Sequence, residues 1–309
     1  MKTENILEYE PFREQLIKGL EEHYGGRAEI TVQKVLRANG ERYEGLLAAF
    51  GTGEENIPVM RLDELYRMYR DGETDLDGCV GFARRFREEH GRSERMAAFS
   101  KVIRSWEYGK RNVYPLLLST EENRELLGEL AHTPVPGLDL SAAYLIREEG
   151  ERPEASVKVS RKMLEGYGIS PEELNRQAME NLEGDGYAFR CLGSLIGEMM
   201  EQTGLDTVPG LEEEMEGVEM YVLTNRTGSY GAAGLLERET VREFAKGRNY
   251  YILPSSLHET IWVPAEQCER KQLDEMVREI NEEQVDREEW LSCHSYFYDG
   301  ERDEIRMTE

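Results

Sequence analysis

The sequence predicts an α+β fold: a helix-rich N-terminal region with a β-hairpin, followed by a mixed or antiparallel sheet region with ββα-type units. Three observations predict this class. Apolar residues recur at helical spacing, strand-like runs stand in pairs, and Asn39-Gly40 and Asp299-Gly300 each separate such a pair. Paired strands with single helices between the pairs are typical of α+β proteins.

The N-terminal elements alternate between helix and strand. Asn39-Gly40 predicts a tight hairpin, because both residues tolerate positive φ. Pro115 lies in the predicted strand 112–118 and favours an edge position for it, since proline has no N–H to donate to a neighbouring strand. The predicted helices are 8–22, 62–69 and 76–86, and the predicted strands are 30–36, 43–50 and 112–118.

The middle of the chain contains the clearest helix start. Ser170 is a favourable N-cap, Pro171 suits the first helical position, and Glu173 completes a capping box. The acidic run 209–217 predicts a solvated loop. The other predicted elements here are helices over 120–130 and 188–201 and strands over 138–146 and 156–160.

The last third predicts strand pairs separated by helices. A turn over 225–228 separates one pair, and Asp299-Gly300 separates another. The predicted strands are 219–224, 230–236, 250–253, 257–263, 295–298 and 304–307, and the predicted helices are 237–246 and 270–281.

Charge divides the chain into two regions. Residues 1–118 carry 19 Lys or Arg and 21 Asp or Glu, whereas residues 119–309 carry 19 and 42, within a net charge of −25. We therefore expect a helix-rich region with a hairpin over 1–118 and an acidic α+β region over 119–309. The acidic field repels nucleic acid and anionic membranes, and it either attracts a basic protein partner or serves solubility.

The composition predicts a soluble, cytoplasmic protein. No apolar run reaches the ~18 residues of a membrane helix, and residues 1–10 lack the pattern of a signal peptide. No GxGxxG or P-loop is present, and we expect no cofactor. The cysteines form no CxxC pair, so we expect reduced thiols and no metal site. These cysteines are Cys79, Cys191, Cys268 and Cys293.

The candidate binding loop lies in "LPSSLHE" (253–259) and comprises Ser255, Ser256, His258 and Glu259. Serine, histidine and a carboxylate in so short a stretch suggest a hydrolase. In a strand, however, Ser256 and His258 share one face while Glu259 points to the other, so Glu259 does not orient the imidazole as a catalytic triad requires. No GxSxG elbow surrounds either serine.

We therefore expect this loop to be a hairpin turn, with a non-catalytic binding loop and a hydrolase as the alternatives. Pro254 sets φ for such a turn. Glu259 would then enter an apolar face and require a hydrogen-bond donor. That face is predicted to hold Leu257, Ile261 and Val263, and the opposite face, towards solvent or a groove, holds His258, Thr260 and Trp262.

Residues 84–111 form the only basic segment. Nine Lys or Arg and four Glu are interleaved with aromatic residues, a composition that binds single-stranded nucleic acid in some proteins. We expect instead that these cations pair with the acidic remainder of the chain or are solvated, because the charge elsewhere opposes nucleic acid.

Six stretches together carry a family resemblance. They are "RANGERYEGL" (37–46), "LYRMYRDG" (65–72), "NVYPLLLSTEENRELL" (112–127), "ISPEELNRQAMENL" (169–182), "YVLTNRTGSYGAAGLL" (221–236) and "LPSSLHE" (253–259). With these motifs the chain resembles an uncharacterised bacterial family, domain-of-unknown-function family 5688. The resemblance implies a bacterial cytoplasmic protein and assigns no reaction.

The leading functional hypothesis is a non-enzymatic intracellular binding or regulatory protein with an acidic surface. It rests on the acidic region 119–309 and on the lack of a recognisable catalytic constellation in the sequence. A hydrolase that uses the 255–259 loop and an acidic DNA-mimicking inhibitor are the alternatives. We expect a protein partner and no membrane or nucleic-acid partner.

Overall fold

The computed structural model describes residues 6–51, 57–91, 93–150, 153, 155–195, 197, 219–254, 256–267 and 270–308. The α+β class is confirmed, and all strand pairs among these residues are antiparallel. The chain folds as two units, the first formed by Met1–Arg37 and Glu41–Val102 and the second by Ala38–Gly40 and Ile103–Glu309. The domain boundary at residue 118 stays a prediction.

The first unit packs helices against a small antiparallel sheet of order β1-β2-β3. Its helices are α1 (Tyr9–Tyr24), α2 (Leu62–Arg70), α3 (Leu76–His90) and α4 (Glu94–Val102), and its strands are β1 (Glu29–Leu36), β2 (Arg42–Ala49) and β3 (Met60–Arg61). Phe12, Leu16 and Leu20 recur along one face of α1 and are buried in the core with Leu62 and Leu65. The helical spacing in the sequence is therefore confirmed.

The hairpin predicted at Asn39-Gly40 is confirmed. β1 and β2 pair in antiparallel register, and the Arg37 N–H donates to the Glu41 carbonyl over 2.8 Å. A 3-10 turn covers Ala38–Gly40, but Asn39 has φ 56° and Gly40 has φ 71°. Both residues therefore take the left-handed conformation that asparagine and glycine tolerate best.

The second unit contains one sheet in which the long strand β6 pairs with β4 on one edge and with β5 and β7 on the other. The strands are β4 (Val113–Ser119), β5 (His132–Pro134), β6 (Leu140–Arg147) and β7 (Ser156–Lys158), and the helices are α5 (Trp106–Asn112), α6 (Arg124–Glu129), α7 (Arg161–Tyr167) and α8 (Pro171–Glu183). Pro115 lies in the edge strand β4, as predicted. Ser170 caps α8 by accepting a hydrogen bond from the Glu173 N–H over 3.2 Å, which confirms the predicted start.

A second antiparallel sheet in this unit has the order β13-β12-β10-β11-β9-β8. Its strands are β8 (Ala188–Cys191), β9 (Tyr221–Thr224), β10 (Tyr250–Leu253), β11 (Thr260–Pro264), β12 (Tyr296–Asp299) and β13 (Glu304–Met307), and helices α9 (Arg238–Ala245) and α10 (Arg270–Gln284) accompany it. Shorter 3-10 helices cover Gly231–Leu236, Ala265–Gln267 and Arg287–Glu289.

Both faces of strand β11 are buried. Val263 packs with Leu273 and Val277 of α10 on one face, which confirms its predicted direction. On the other face Trp262 contacts aromatic rings that include Phe244 of α9. The prediction that Thr260 and Trp262 face solvent or a groove is therefore wrong, because both are fully buried.

Two predicted elements differ in type. The helix predicted over 188–201 begins instead with strand β8, because Phe189 stacks on Phe244 with ring centroids 3.6 Å apart and β8 pairs with β9, whereas residues 192–195 are helical as predicted. The strand predicted over 230–236 is a 3-10 helix that follows Tyr230, whose φ is 55°. Residues 198–201 and the loop predicted over 209–217 lie outside the described residues.

One predicted boundary also shifts, and one predicted hairpin has an unexpected conformation in its turn. The helix predicted from residue 120 begins at Arg124, after a turn in which the Thr120 N–H donates to the Asp139 carbonyl. The hairpin at Asp299-Gly300 is confirmed, but Asp303 takes the left-handed conformation there. Gly300 is needed for another reason, since a Cβ on it would collide with the carbonyl oxygen of Arg248.

Candidate functional site

The loop 254–259 joins β10 to β11, so the predicted strand-to-strand connection is confirmed. Ser255 lies outside the described residues. Ser256 and Leu257 are buried, and the Leu257 N–H donates to the Glu289 carbonyl over 2.8 Å. The backbone of the loop is therefore fixed against the 3-10 helix Arg287–Glu289.

His258 is held at both ring nitrogens. Nδ1 accepts a hydrogen bond from the Tyr230 N–H over 3.1 Å, and Nε2 lies 3.4 Å from Oε1 of Glu289. An imidazole that accepts at Nδ1 carries its proton at Nε2, which then points towards the carboxylate. The His258 carbonyl also accepts from the Thr224 hydroxyl over 2.8 Å. His258 thus connects three segments of the second unit.

Ser256 is oriented for local structure. Its Oγ accepts a hydrogen bond from the His258 N–H over 3.0 Å. A nucleophilic serine must pass its proton to a base within hydrogen-bond reach. Both ring nitrogens of His258 face other groups, Tyr230 and Glu289. The described geometry therefore favours a structural turn over a nucleophile, and the candidate loop Ser255, Ser256, His258 and Glu259 stays a prediction as a binding site.

The expectation for Glu259 is wrong. Its side chain is partly exposed rather than buried in an apolar face, and no side-chain hydrogen bond to it is found among the described residues. The reason is that β11 begins only at Thr260, so the alternation of a strand does not extend back to Glu259. Its carbonyl instead accepts from the Ser256 N–H within the turn.

A buried ion pair in the second unit was not predicted. Arg147 ends β6, Asp185 follows α8, and Nη1 of Arg147 lies 2.6 Å from Oδ1 of Asp185. Asn225, in the turn after β9, donates from Nδ2 to Oδ2 of Asp185 over 2.9 Å. The partners lie 38 and 40 residues apart, so no spacing in the sequence connects them. The one local signal was the turn-forming Asn225 itself.

The first unit contains an open pocket of about 360 Å³ at the ends of α1 and α3. It is lined by His23, Tyr24, Arg27, Phe50, Arg87, Glu88 and Gly91. The Arg87 guanidinium lies 5.0 Å above the Phe50 ring, and Nε donates to the Ala48 carbonyl over 2.8 Å. Gly91 leaves the space that this guanidinium occupies, since a Cβ there would collide with Nη1. The pocket therefore presents cationic and aromatic groups side by side.

Arg87 belongs to the basic segment 84–111, whose role the structure partly defines. Arg87 is buried and serves the core and the pocket of the first unit rather than an exposed basic surface. The cation of Arg85 lies 6.0 Å from the ring of Phe82. The pairing of this segment with acidic residues elsewhere stays a prediction.

The cysteines and other metal-binding side chains give no centre within the described ranges. No group of three or more His, Cys, Asp or Glu residues there could hold a metal ion. Burial raises the pKa of the Cys79 thiol to about 11, and burial likewise raises the pKa of Cys293. Cys191 is exposed, and Cys268 lies outside the described residues.

Comparisons with known proteins identify the family. No helix in the described part of the chain has the length and apolar content that a membrane crossing requires. Neither the curated proteins nor the solved structures contain a match to this chain. A model of the family of unknown function DUF5688 matches residues 9–300, nearly the whole length, and the chain therefore belongs to that family.

Proposed function

We propose that this protein is a non-enzymatic binding protein of the bacterial cytoplasm whose first unit binds a small organic anion. The observation that carries the proposal is the pocket at the ends of α1 and α3, where two guanidinium groups and two aromatic rings surround about 360 Å³. Pockets for small molecules typically measure about 300–1,000 Å³ and combine apolar walls with a few polar groups.

The charges of the pocket favour an anion. Among the described residues that line the pocket, Arg27 and Arg87 carry positive charge and Glu88 carries negative charge, so their formal sum is positive. Arginine supplies several N–H donors in a planar fork that matches carboxylate and phosphate oxygens. His23 adds an imidazole ring, which carries a further N–H donor.

The aromatic walls favour a ligand with a flat, unsaturated portion. The rings of Tyr24 and Phe50 meet edge to face with centroids 5.0 Å apart, and Phe50 is 42% exposed. A flat group that covers Phe50 removes this exposed ring from water, and aromatic pairs add about 0.5–1.5 kcal/mol beyond the area buried. The ligand class is therefore an aromatic compound with an anionic group.

The test is calorimetric titration with three related probes: AMP, adenosine and ribose 5-phosphate. We expect AMP to bind more tightly than either fragment, because only AMP has both groups. Arg27→Ala removes an exposed cation of the pocket and is expected to weaken AMP binding by about tenfold, equivalent to ~1.4 kcal/mol. Arg70→Ala, which removes an exposed arginine outside the pocket, is the matched control.

A second variant disturbs the pocket from another position. Gly91→Ala places a methyl group where the Arg87 guanidinium lies, and we expect it to displace that group and weaken AMP binding. The proposal fails if AMP does not bind at millimolar concentration. It also fails if AMP binds wild type, Arg27→Ala and Gly91→Ala equally well.

The acidic region supports a second candidate function, the capture of a basic protein partner. Residues 119–309 carry 42 Asp or Glu against 19 Lys or Arg, and such a field raises association rates with cationic partners. Pull-down from a native cell at low and at high salt, followed by mass spectrometry, tests this. Basic proteins captured only at low salt support it, and release of those proteins by added DNA would favour the DNA-mimic alternative.

A further inference from the structure

We infer that the second unit holds a binding site for a small carboxylate at the free edge of the Arg147 guanidinium. The site is separate from the pocket of the first unit. Arg147 lies at the end of β6, and its side chain and that of Asp185 are each 6% exposed. The ring of Tyr114 covers the guanidinium, with its centroid 4.2 Å from the central carbon.

The free edge consists of two adjacent donors. Nη1 is occupied by Asp185, but Nε and Nη2 are buried and have no hydrogen-bond partner within the described structure. Nε and Nη2 carry the parallel N–H bonds of the guanidinium fork, the edge that binds both oxygens of a carboxylate at once. The fork is therefore complete and, among the described residues, lacks an acceptor.

Tyr187 adds a third donor without a partner in the described part of the chain. Its hydroxyl is buried beside Asp185 and Asn225 but makes a hydrogen bond of good geometry with neither. Burial, together with the nearby Asp185 charge, holds the pKa of Tyr187 well above its ordinary value, so the hydroxyl keeps its proton. A tyrosine in this state donates to an anionic oxygen.

The described protein groups around Arg147 do not supply the missing acceptor. Oδ1 of Asp185 accepts from Nη1 of Arg147 and Oδ2 accepts from Nδ2 of Asn225, and neither oxygen forms a hydrogen bond with Nε or Nη2 of Arg147. The Asn225 Oδ1 accepts from the Thr227 hydroxyl and the Ser229 N–H. Buried polar groups in folded proteins are normally satisfied, and unsatisfied ones require a separate cause. A ligand with acceptor oxygens is such a cause.

The charge near the site favours a monoanion. The charges of Arg147 and Asp185 cancel, and the exposed Arg226 adds a positive charge beside Gly186, since its Nε lies 4.0 Å from where a Cβ on Gly186 would stand. Gly186 is exposed and directly follows Asp185. A carboxylate balances one cation, whereas a phosphate dianion leaves an excess negative charge.

The test is titration of the full chain with sodium acetate, against sodium chloride at equal ionic strength and against sodium phosphate. Binding is followed by thermal unfolding and by the NMR signal of the Arg147 Nε–H, which is assigned through its loss in Arg147→Lys. We expect acetate to raise the unfolding temperature beyond chloride and to shift the Nε–H signal. Stronger binding of phosphate than of acetate overturns the carboxylate assignment.

Tyr187→Phe tests the site in a variant that is expected to fold as the wild type does. It removes a hydroxyl that has no hydrogen-bond partner among the described residues, so we expect unchanged stability without acetate and an acetate affinity about five- to tenfold weaker. Arg176→Lys, at an exposed arginine of α8, is the matched control and is expected to bind acetate as wild type does. The inference fails if acetate acts like chloride, if Tyr187→Phe binds acetate as wild type does, or if a crystal grown in acetate shows only water at the fork.

Discussion

Asn39 offers the sharpest test of how the second unit is held together. The side chain is 3% exposed and makes three hydrogen bonds within that unit. Nδ2 donates to the carbonyls of Arg287 and Trp290 over 2.7 and 2.8 Å, and Oδ1 accepts from Nδ2 of Asn123 over 2.7 Å. The residue also has φ 56°. The side-chain hydrogen bonds and the left-handed backbone conformation of Asn39 therefore make separate contributions to the free energy of unfolding.

Two substitutions separate these contributions. Asn39→Gly keeps the backbone conformation and removes three hydrogen bonds, each worth about 1 kcal/mol, so we expect a loss of ~3 kcal/mol. Asn39→Ala removes the same bonds and also places a Cβ in the left-handed region, which adds about 1 kcal/mol. The expected loss for alanine is therefore about 4 kcal/mol.

Urea denaturation followed by tryptophan fluorescence measures these losses. The three tryptophans, Trp106, Trp262 and Trp290, all lie in the second unit, so the signal reports that unit's unfolding. Lys246→Gly is the control for backbone strain. Lys246 has φ 48° and is exposed, so glycine there is expected to stabilise by up to about 1 kcal/mol.

Glycine is expected to destabilise the second unit at position 39 and to stabilise it at position 246. This difference in sign distinguishes the loss of side-chain hydrogen bonds from the relief of backbone strain. If Asn39→Gly unfolds within about 0.5 kcal/mol of wild type, the side-chain bonds are not stabilising and the reasoning is refuted. Asn123→Ala supplies a further check, because it removes the acceptor of the Asn39 N–H and the donor to Oδ1. The double variant should lose less than the sum of the single losses, since the two residues share these bonds.

Three further predictions concern other parts of the chain. Ser170→Ala removes the cap of α8 and should cost ~1 kcal/mol in urea denaturation, so an unchanged midpoint contradicts it. Hydrogen bonds from Tyr9 and Arg13 lower the pKa of Glu44 in the folded protein. The stabilisation of the fold by ionised Glu44 is therefore full above its pKa in the unfolded chain, and it is lost as the pH falls through its pKa in the folded protein. Glu44→Gln should therefore lower the melting temperature at pH 7 but progressively less below about pH 4.5, and a pH-independent difference would refute this. A fluorophosphonate probe should not label the 254–259 loop; labelling that disappears in His258→Ala would establish the hydrolase alternative.

Local signals in the sequence predicted the elements that local chemistry determines. The cap at Ser170, the turn at Asn39-Gly40 and the edge position of Pro115 each depend on one or two residues and their immediate neighbours. The prediction for 188–191 failed because Phe189 stacks on Phe244, 55 residues later, and β8 pairs with β9, and a local helical pattern reveals neither contact. Tertiary packing overrode a weak helical pattern there.

The prediction that one face of β11 lies towards solvent or a groove failed for a different reason. Alternation correctly placed Val263 in the core, but it assumed that the opposite face of the sheet is solvated. Helix α9 covers that face, so Trp262 is as fully buried as Val263. A sheet that is covered on both sides does not show the alternation of apolar and polar residues on which the argument depends.

The candidate loop was visible in the sequence, but its partners were not. Tyr230 and Glu289 lie 28 and 31 residues from His258, and their spacing carries no recognisable motif. The same holds for Arg147 and Asp185, which meet only because the end of β6 lies beside the segment after α8. Pairs of this kind follow from topology, which propensity and periodicity do not determine.

Three turns of the second unit follow one structural rule, and Arg147 departs from it. Asn39, Asn225 and His258 each fix an irregular backbone segment, and each has hydrogen-bond partners on both sides of its polar group. A polar side chain whose role is only to hold the fold gains nothing from an unsatisfied donor, because an orphaned buried donor costs about 1–3 kcal/mol. Within the described residues, Arg147 leaves two donors without an acceptor at the edge suited to a carboxylate. This contrast within one unit separates the polar groups that stabilise the scaffold from the group best placed to bind a ligand.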